Sequence, residues 1–169
     1  NEVIRSIEEL QKKSLAKNNF IFMRHGESYH NVRGISGPWE DTAEYTSVLT
    51  DLGKKIAEKT AEELKRKVNK IDFIIPSTLE RAKDTAKIVA QKFGNVLIKP
   101  RSDLVDTNTQ GETKEGVKRR MERALQEIDL EHEGKNILIV SHADPLWILG
   151  CEKKQYPESF QAKMFHQVY

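Results

Sequence analysis

Cysteine is almost missing from this chain: Cys151 is the only one in 169 residues. One thiol cannot build an internal disulfide framework, which fits a reducing compartment and leaves the core to hold the fold. Cys151 itself reads as a small buried hydrophobe rather than a nucleophile. No apolar run reaches the length of a membrane span and the N-terminus has no signal-peptide pattern, so no membrane partner is expected and a cytoplasmic location is. Charge of one sign is missing as well. The 28 basic and 26 acidic residues are well mixed and sum to +2. That balance argues against nucleic acid as the main partner while leaving room for a local basic pocket. Internal repeats, low-complexity tracts and an interdomain linker are all lacking. The expectation is one domain over residues 1–169, with an amphipathic helical extension over 1–18. The start at Asn1 rather than Met is also compatible with a domain cut from something larger.

What the chain does have is a run of large apolar residues, Phe20 to Met23, that stops abruptly at Arg24-His25-Gly26. Such a run bounded by a glycine turn signal reads as a buried strand. Ligands in α/β folds bind beyond the carboxyl ends of strands, where Arg24 and His25 would stand. A guanidinium clamps phosphate, and an imidazole can act as nucleophile or base. The segment from Tyr29 to Leu49 has no sustained period and reads as a long loop, a candidate roof for a site. Thr50 is a candidate N-cap for a helix reaching about Lys67, and Ile71 to Ile75 is a second buried strand stopped by Pro76. Ser77 is expected to cap a helix that Gly94 closes, and Asn95 to Lys99 is a short third strand. A polar segment from Arg101 to Gly111 precedes a helix opening at Thr113. Gly134 then introduces the most apolar strand, Ile137 to Val140, which ends at Ser141-His142. Strands alternating with helices predict an α/β fold, a three-layer α/β/α sandwich on a mostly parallel sheet. Its edge would collect two arginines, Arg24 and Arg81, and two histidines, His25 and His142. One imidazole of such a pocket can attack a phosphoryl group while the other cations stabilise its oxygens.

These residues closely resemble the motifs of the histidine phosphatase superfamily, the phosphoglycerate mutase-like fold. Arg24-His25-Gly26-Glu27-Ser28 with Asn31 looks like its RHGESxxN signature, and Leu49-Thr50 with Gly53 like its LTxxG element. Ser77 to Ala86 matches its SxLxRAxxTA helix, and Ser141-His142 its final strand-and-histidine motif. The resemblance covers about residues 19 to 150. It implies that His25 is the nucleophile, that Arg24, Arg81 and His142 hold the phosphoryl oxygens, and that Asn31 lies at the pocket rim. It implies neither metal nor cofactor. A proton donor for the leaving alcohol is also needed. Leu104-Val105-Asp106 occupies the place where the family carries an LxE segment, with Asp106 for Glu. Glu112, in a run resembling the family's GES element, is the reserve, and Glu27 a weaker third.

Two departures from the family pattern stand out. The segment between Asp106 and Gly111-Glu112-Thr113 is short, which suggests an open site and favours a phosphatase over a mutase. Asp144 follows His142 closely where the family usually has glycine, placing a negative charge near a phosphate pocket. His30, beside the signature, reads as a loop residue, Trp39 as a packing residue in the loop that is the candidate roof, and His132 as surface or packing. The expected activity is a metal-independent phosphoric monoester hydrolase of the histidine acid phosphatase type, working through phosphohistidine on a phosphorylated small molecule or phosphoprotein. The alternatives are a phosphoglycerate mutase-type phosphotransferase, and a catalytically weak phosphate-binding or structural domain of a larger protein.

Overall fold

The computed structural model describes residues 17–34 and 39–149 and the backbone of 164–165. Five strands form one sheet: β1 (Asn19–Arg24), β2 (Phe73–Pro76), β3 (Leu97–Ile98), β4 (Asn136–Ser141) and β5 (Met164–Phe165). Their order is β3-β2-β4-β1-β5, and every pairing is parallel. Around it lie α1 (Tyr29–Val32), α2 (Asp51–Lys67), α3 (Glu80–Lys92), α4 (Lys114–Glu131) and α5 (Ala143–Ile148), with a 3₁₀ turn at Ser102–Leu104.

Alternate residues of the central strands face opposite layers. Phe20 and Phe22 share a core with Ile137 and Ile139 of β4 and with Val117, Met121 and Ile128 of α4. Ile21 and Met23 share the other with Leu138, Val140, Leu64 of α2 and Ala82, Ala86 and Val89 of α3. Both faces are covered, which is why these strands are apolar throughout instead of alternating. The three-layer α/β/α sandwich on a parallel sheet is thus the fold observed.

The register decides where the site falls. Arg24 is level with Ser141, and Pro76 with Val140, so β1, β4 and β2 end along one edge. β4 lies between the other two, and the residues just beyond it are flanked by those that follow β1 and β2.

Several expectations shift. The second strand runs Phe73–Pro76, so Pro76 is its last residue; its ring needs no amide hydrogen there, and its carbonyl accepts from Arg101 N at 2.9 Å. The segment after Ser28 is not all loop. Residues 29–32 make a helical turn closed by a capping box between Ser28 and Asn31. Ser77 does not cap α3: Leu79 holds the N-cap position, and Asp41 from the preceding loop accepts from Glu80 N at 2.7 Å. Thr50 and Thr113 do cap α2 and α4, accepting from Gly53 N at 2.9 Å and Gly116 N at 3.0 Å. Residues 1–16 of the expected helical extension over 1–18 and the thiol of Cys151 lie outside the described residues.

Candidate active site

Beyond β1 the chain turns at Gly26, and three contacts hold that turn. His25 N donates to Ser141 O at 3.0 Å, and Gly26 N donates to Thr85 Oγ1 of α3 at 3.0 Å. Thr85 passes its own proton to Arg81 O at 2.8 Å. The imidazole of His25 is buried, and its Nδ1 lies 2.6 Å from Gly26 O. A carbonyl only accepts, so Nδ1 carries the hydrogen and neutral His25 keeps its lone pair on Nε2. Burial, followed by the Arg81 and Arg24 charges, holds this histidine well below its usual range against the smaller opposing effect of the Gly26 bond. It is therefore neutral and oriented, with the free lone pair of a candidate nitrogen nucleophile on Nε2.

His142 stands beside it, with ring centroids 5.0 Å apart, and is likewise buried and kept neutral by desolvation and neighbouring positive groups. Its Nε2 lies 2.7 Å from Ser77 Oγ. With Ser77 donating, the remaining ring proton sits on Nδ1, which faces Asp106 Oδ2 at 4.0 Å. Arg81, fully buried, sends Nη2 to the same Asp106 oxygen at 3.2 Å. Asp106 Oδ1 accepts from Thr107 N at 2.9 Å. Burial nevertheless raises the Asp106 carboxyl above the usual carboxylate range, the Thr107 amide and Arg81 oppose it, and Asp144 adds to the rise. Asp144 itself is exposed to solvent. The structure thus brings together His25, Arg81, His142 and Asp106, with Arg24 at the end of β1 adjoining them.

The other two expected residues have different work. Asn31 Oδ1 accepts from Ser28 N at 3.0 Å and from Ser28 Oγ at 2.9 Å, while its Nδ2 lies 3.4 Å from His30 Nε2. It closes α1 and orients His30. Glu112 accepts from Arg120 Nε at 2.8 Å and Nη2 at 2.9 Å. That fork holds its carboxyl below the usual range, which suits an anchor and not a proton donor. Glu27 turns to Thr50, whose hydroxyl donates to Glu27 Oε1 at 2.8 Å.

Sequence reading missed three contributors. His30 is buried, its ring 6.1 Å from that of His25, and its Nδ1 meets Ser28 Oγ at 2.6 Å and Ser47 Oγ at 2.9 Å. Burial and the charges of Arg81 and Arg24 push it down to about 4. Arg120 spans from α4 to the segment carrying Asp106, donating from Nη1 to Asp103 O at 2.8 Å and Val105 O at 2.9 Å. Gly53 has no room for a side chain, because a Cβ there would sit 2.0 Å from Glu27 O. The glycine in Leu49-Thr50-x-x-Gly53 was the available signal for that close approach, and the place of His30 beside the signature run was the signal for it; nothing local marked Arg120.

A parallel α/β sandwich presenting a buried neutral histidine, arginines and a carboxyl lifted by burial at one strand edge defines a class built to handle phosphoryl groups. The comparisons with known proteins narrow that class. The family model described as histidine phosphatase superfamily (branch 1) matches residues 20–108 and 99–167, and the chain belongs to that superfamily. It is similar to phosphoglycerate mutase-like protein 4 of Arabidopsis thaliana, 28% identical over 72% of this chain and 65% of that protein. It is also similar to the phosphoglycerate mutase of Schizosaccharomyces pombe, 34% identical over 47% of this chain and 35% of that one. The chain therefore spans less than two thirds of either relative. Among solved structures, Bacillus stearothermophilus YhfR superposes with a TM-score of 0.68 at 25% identity, over 82% of this chain and 80% of that one. Among the described residues no helix is long and apolar enough to cross a membrane, and no group of three or more His, Cys, Asp or Glu is placed to hold a metal ion.

Proposed function

We propose that this chain is a phosphomonoester hydrolase that forms a phosphohistidine at His25. The observation that carries the reading is the His25 imidazole itself: buried, neutral, and fixed by Gly26 O with its lone pair on Nε2, beside Arg81 and His142. In the first step Nε2 attacks phosphorus, an N–P bond forms and the ester P–O bond breaks. The departing oxygen takes the proton that Asp106 carries in its raised-pKa form. Arg24, Arg81 and His142 stabilise the charge on the equatorial oxygens. In the second step water attacks phosphorus, giving its proton to the Asp106 carboxylate as the N–P bond breaks. Inorganic phosphate and the starting enzyme result.

Phosphate release from p-nitrophenyl phosphate in EDTA, compared between the chain and His25→Ala, tests this. Activity that survives chelation and disappears with His25 is expected, and activity indifferent to His25 would overturn the reading. A phosphotransferase of the mutase kind draws support from the names of the two curated relatives. It requires the phosphoryl group to return to a second hydroxyl of the same acid instead of appearing as inorganic phosphate. Phosphate binding with negligible turnover would favour instead a binding or structural domain.

A further inference from the structure

Next to the histidine cluster opens a cavity of about 730 Å³ whose wall includes Asp106. His25, Arg24, Arg81 and His142 are not part of that wall, so Asp106 is the residue that joins the cavity to the cluster, through its contacts with Arg81 and His142. An alcohol receiving its proton from Asp106 lies at the mouth of this cavity. The charge of the wall then selects the alcohol. Two of its acidic residues are already balanced: Glu112 by the Arg120 fork, and Asp106 by Arg81. Among the described residues Arg120 is the only basic side chain in the cavity wall, and its nitrogens are engaged by Glu112 and by the carbonyls of Asp103 and Val105. Glu40 and Asp41 remain, and neither forms an ion pair among the described residues. Asp41 Oδ2 accepts from Glu80 N, but its Oδ1 is buried without a hydrogen-bond partner. Beside them the wall offers the indole of Trp39 and the apolar surfaces of Leu79 and Val105. Unbalanced carboxylates next to an aromatic face attract a cation and repel a second anion.

We infer that this cavity is the leaving-group subsite and that it takes small alcohols bearing an ammonium or quaternary ammonium group. Its substrates are accordingly phosphate monoesters of small amino alcohols. This deepens the hydrolase reading and rests on it. Glu40, Asp41 and Trp39 are the specificity-determining residues, holding the cation while Asp106 addresses the ester oxygen. Sugar acids, which carry a carboxylate on the leaving group, are disfavoured by the same charges.

Three esters of similar size separate the possibilities: phosphocholine, its neutral isostere with carbon in place of the ammonium nitrogen, and phosphoglycerate. Turnover is measured with the native chain, and binding by calorimetry to His25→Ala, which cannot be phosphorylated at that position. Phosphocholine is expected to exceed the neutral isostere about tenfold in both kcat/KM and affinity, with phosphoglycerate the weakest. Glu40→Gln combined with Asp41→Asn, which keeps an acceptor for Glu80 N, should reduce that preference to about twofold or less. The preference is a ratio within one protein, so a partly unfolded variant does not mimic its loss. Equal handling of the three esters, a preference for phosphoglycerate, or a cation preference that survives the double variant would each overturn the inference. If p-nitrophenyl phosphate is not hydrolysed yet phosphocholine binds best, the hydrolase reading fails while the subsite stands. If none of the three esters binds, both fail.

Discussion

In the hydrolase we propose, Asp106 is the residue on which leaving-group chemistry turns. Its carboxyl sits between Arg81 and the His142 ring, yet burial lifts it toward the protonated form. Asp106→Asn keeps the shape and removes the transferable proton. For alkyl phosphates kcat should fall about 10²- to 10⁴-fold, the usual range for losing a general acid. For p-nitrophenyl phosphate the loss should be far smaller, because nitrophenolate leaves without help. Steady-state kcat on the two esters checks this, and an equal fall on both would remove Asp106 from the role. At this scale the sequence was informative where a residue's place followed from an element's end. Arg24, His25 and His142 follow buried strands, and Arg81 sits in the first turn of a helix. It was uninformative where the choice depended on a partner far along the chain. Glu112 stood in reserve behind Asp106 as the acid, and only Arg120, reaching it from α4, shows it to be an anchor. His30 read as a loop histidine because its burial comes from Ser28 and Ser47 closing over it, which no local pattern records.

Elements, taken singly, do little at this site; their junctions position it. The start of α2 presses against the signature segment, with Thr50 N and Thr50 Oγ1 both bonded to Glu27 and Gly53 leaving space for the Glu27 carbonyl. Gly53→Ala would place a methyl carbon 2.0 Å from that oxygen, and backbone rather than a pliable side chain must give way. We expect a loss of roughly 2–3 kcal/mol, typical of overpacking, read from the urea midpoint at unchanged slope. A shift under about 0.5 kcal/mol would mean that α2 slides freely over the signature turn. The second junction joins α4 to the segment carrying Asp106. Arg120→Ala frees the Asp103 and Val105 carbonyls and releases Glu112 together. Because Arg120 positions and does not touch the reacting atoms, its loss should reproduce the Asp106→Asn signature in weaker form. Alkyl phosphates should slow by about tenfold, nitrophenyl phosphate much less, with partial rescue by Arg120→Lys. A parallel fall on both esters would reduce Arg120 to a stabilising residue. Strands β1 to β4, the three long helices and two of their caps were legible because each depends on periodicity and local capping, whereas α1, α5 and β5 are too short to carry a period. The exchange of Ser77 for Asp41 at the start of α3 was not, since Asp41 comes from a loop 39 residues away.

For the molecule as a whole, the cluster to which we assign the chemistry is also a store of acid lability. His25, His30 and His142 are buried together near Arg81 and Arg24, and all three are held below their ordinary range, His30 at about 4. Unfolding exposes them, and their pKa values return to about 6.5. Below that pH the unfolded chain binds protons that the native cluster refuses, so stability falls as pH falls. For His30 the loss accumulates between about 6.5 and about 4 and then levels off, and for His25 and His142 it runs in the same direction. Asp106 works the other way. Its raised native pKa makes the folded chain take a proton first as the solution is acidified, which offsets part of the loss near and below its native pKa. One raised carboxyl does not balance three depressed imidazoles, so the net slope from neutrality into the acid range follows the histidines. Melting temperatures between pH 7.5 and 4 should therefore decline, most steeply below about 6.5. His30→Gln, which retains hydrogen-bonding capacity toward Ser28 and Ser47 but does not titrate, should flatten the decline even if it lowers the melting temperature at neutral pH. An identical slope in wild type and His30→Gln would show that His30 is already as accessible to protons in the native chain as in the unfolded one. The burial that keeps its neighbour His25 neutral would then have to be sought elsewhere than in this closed cluster.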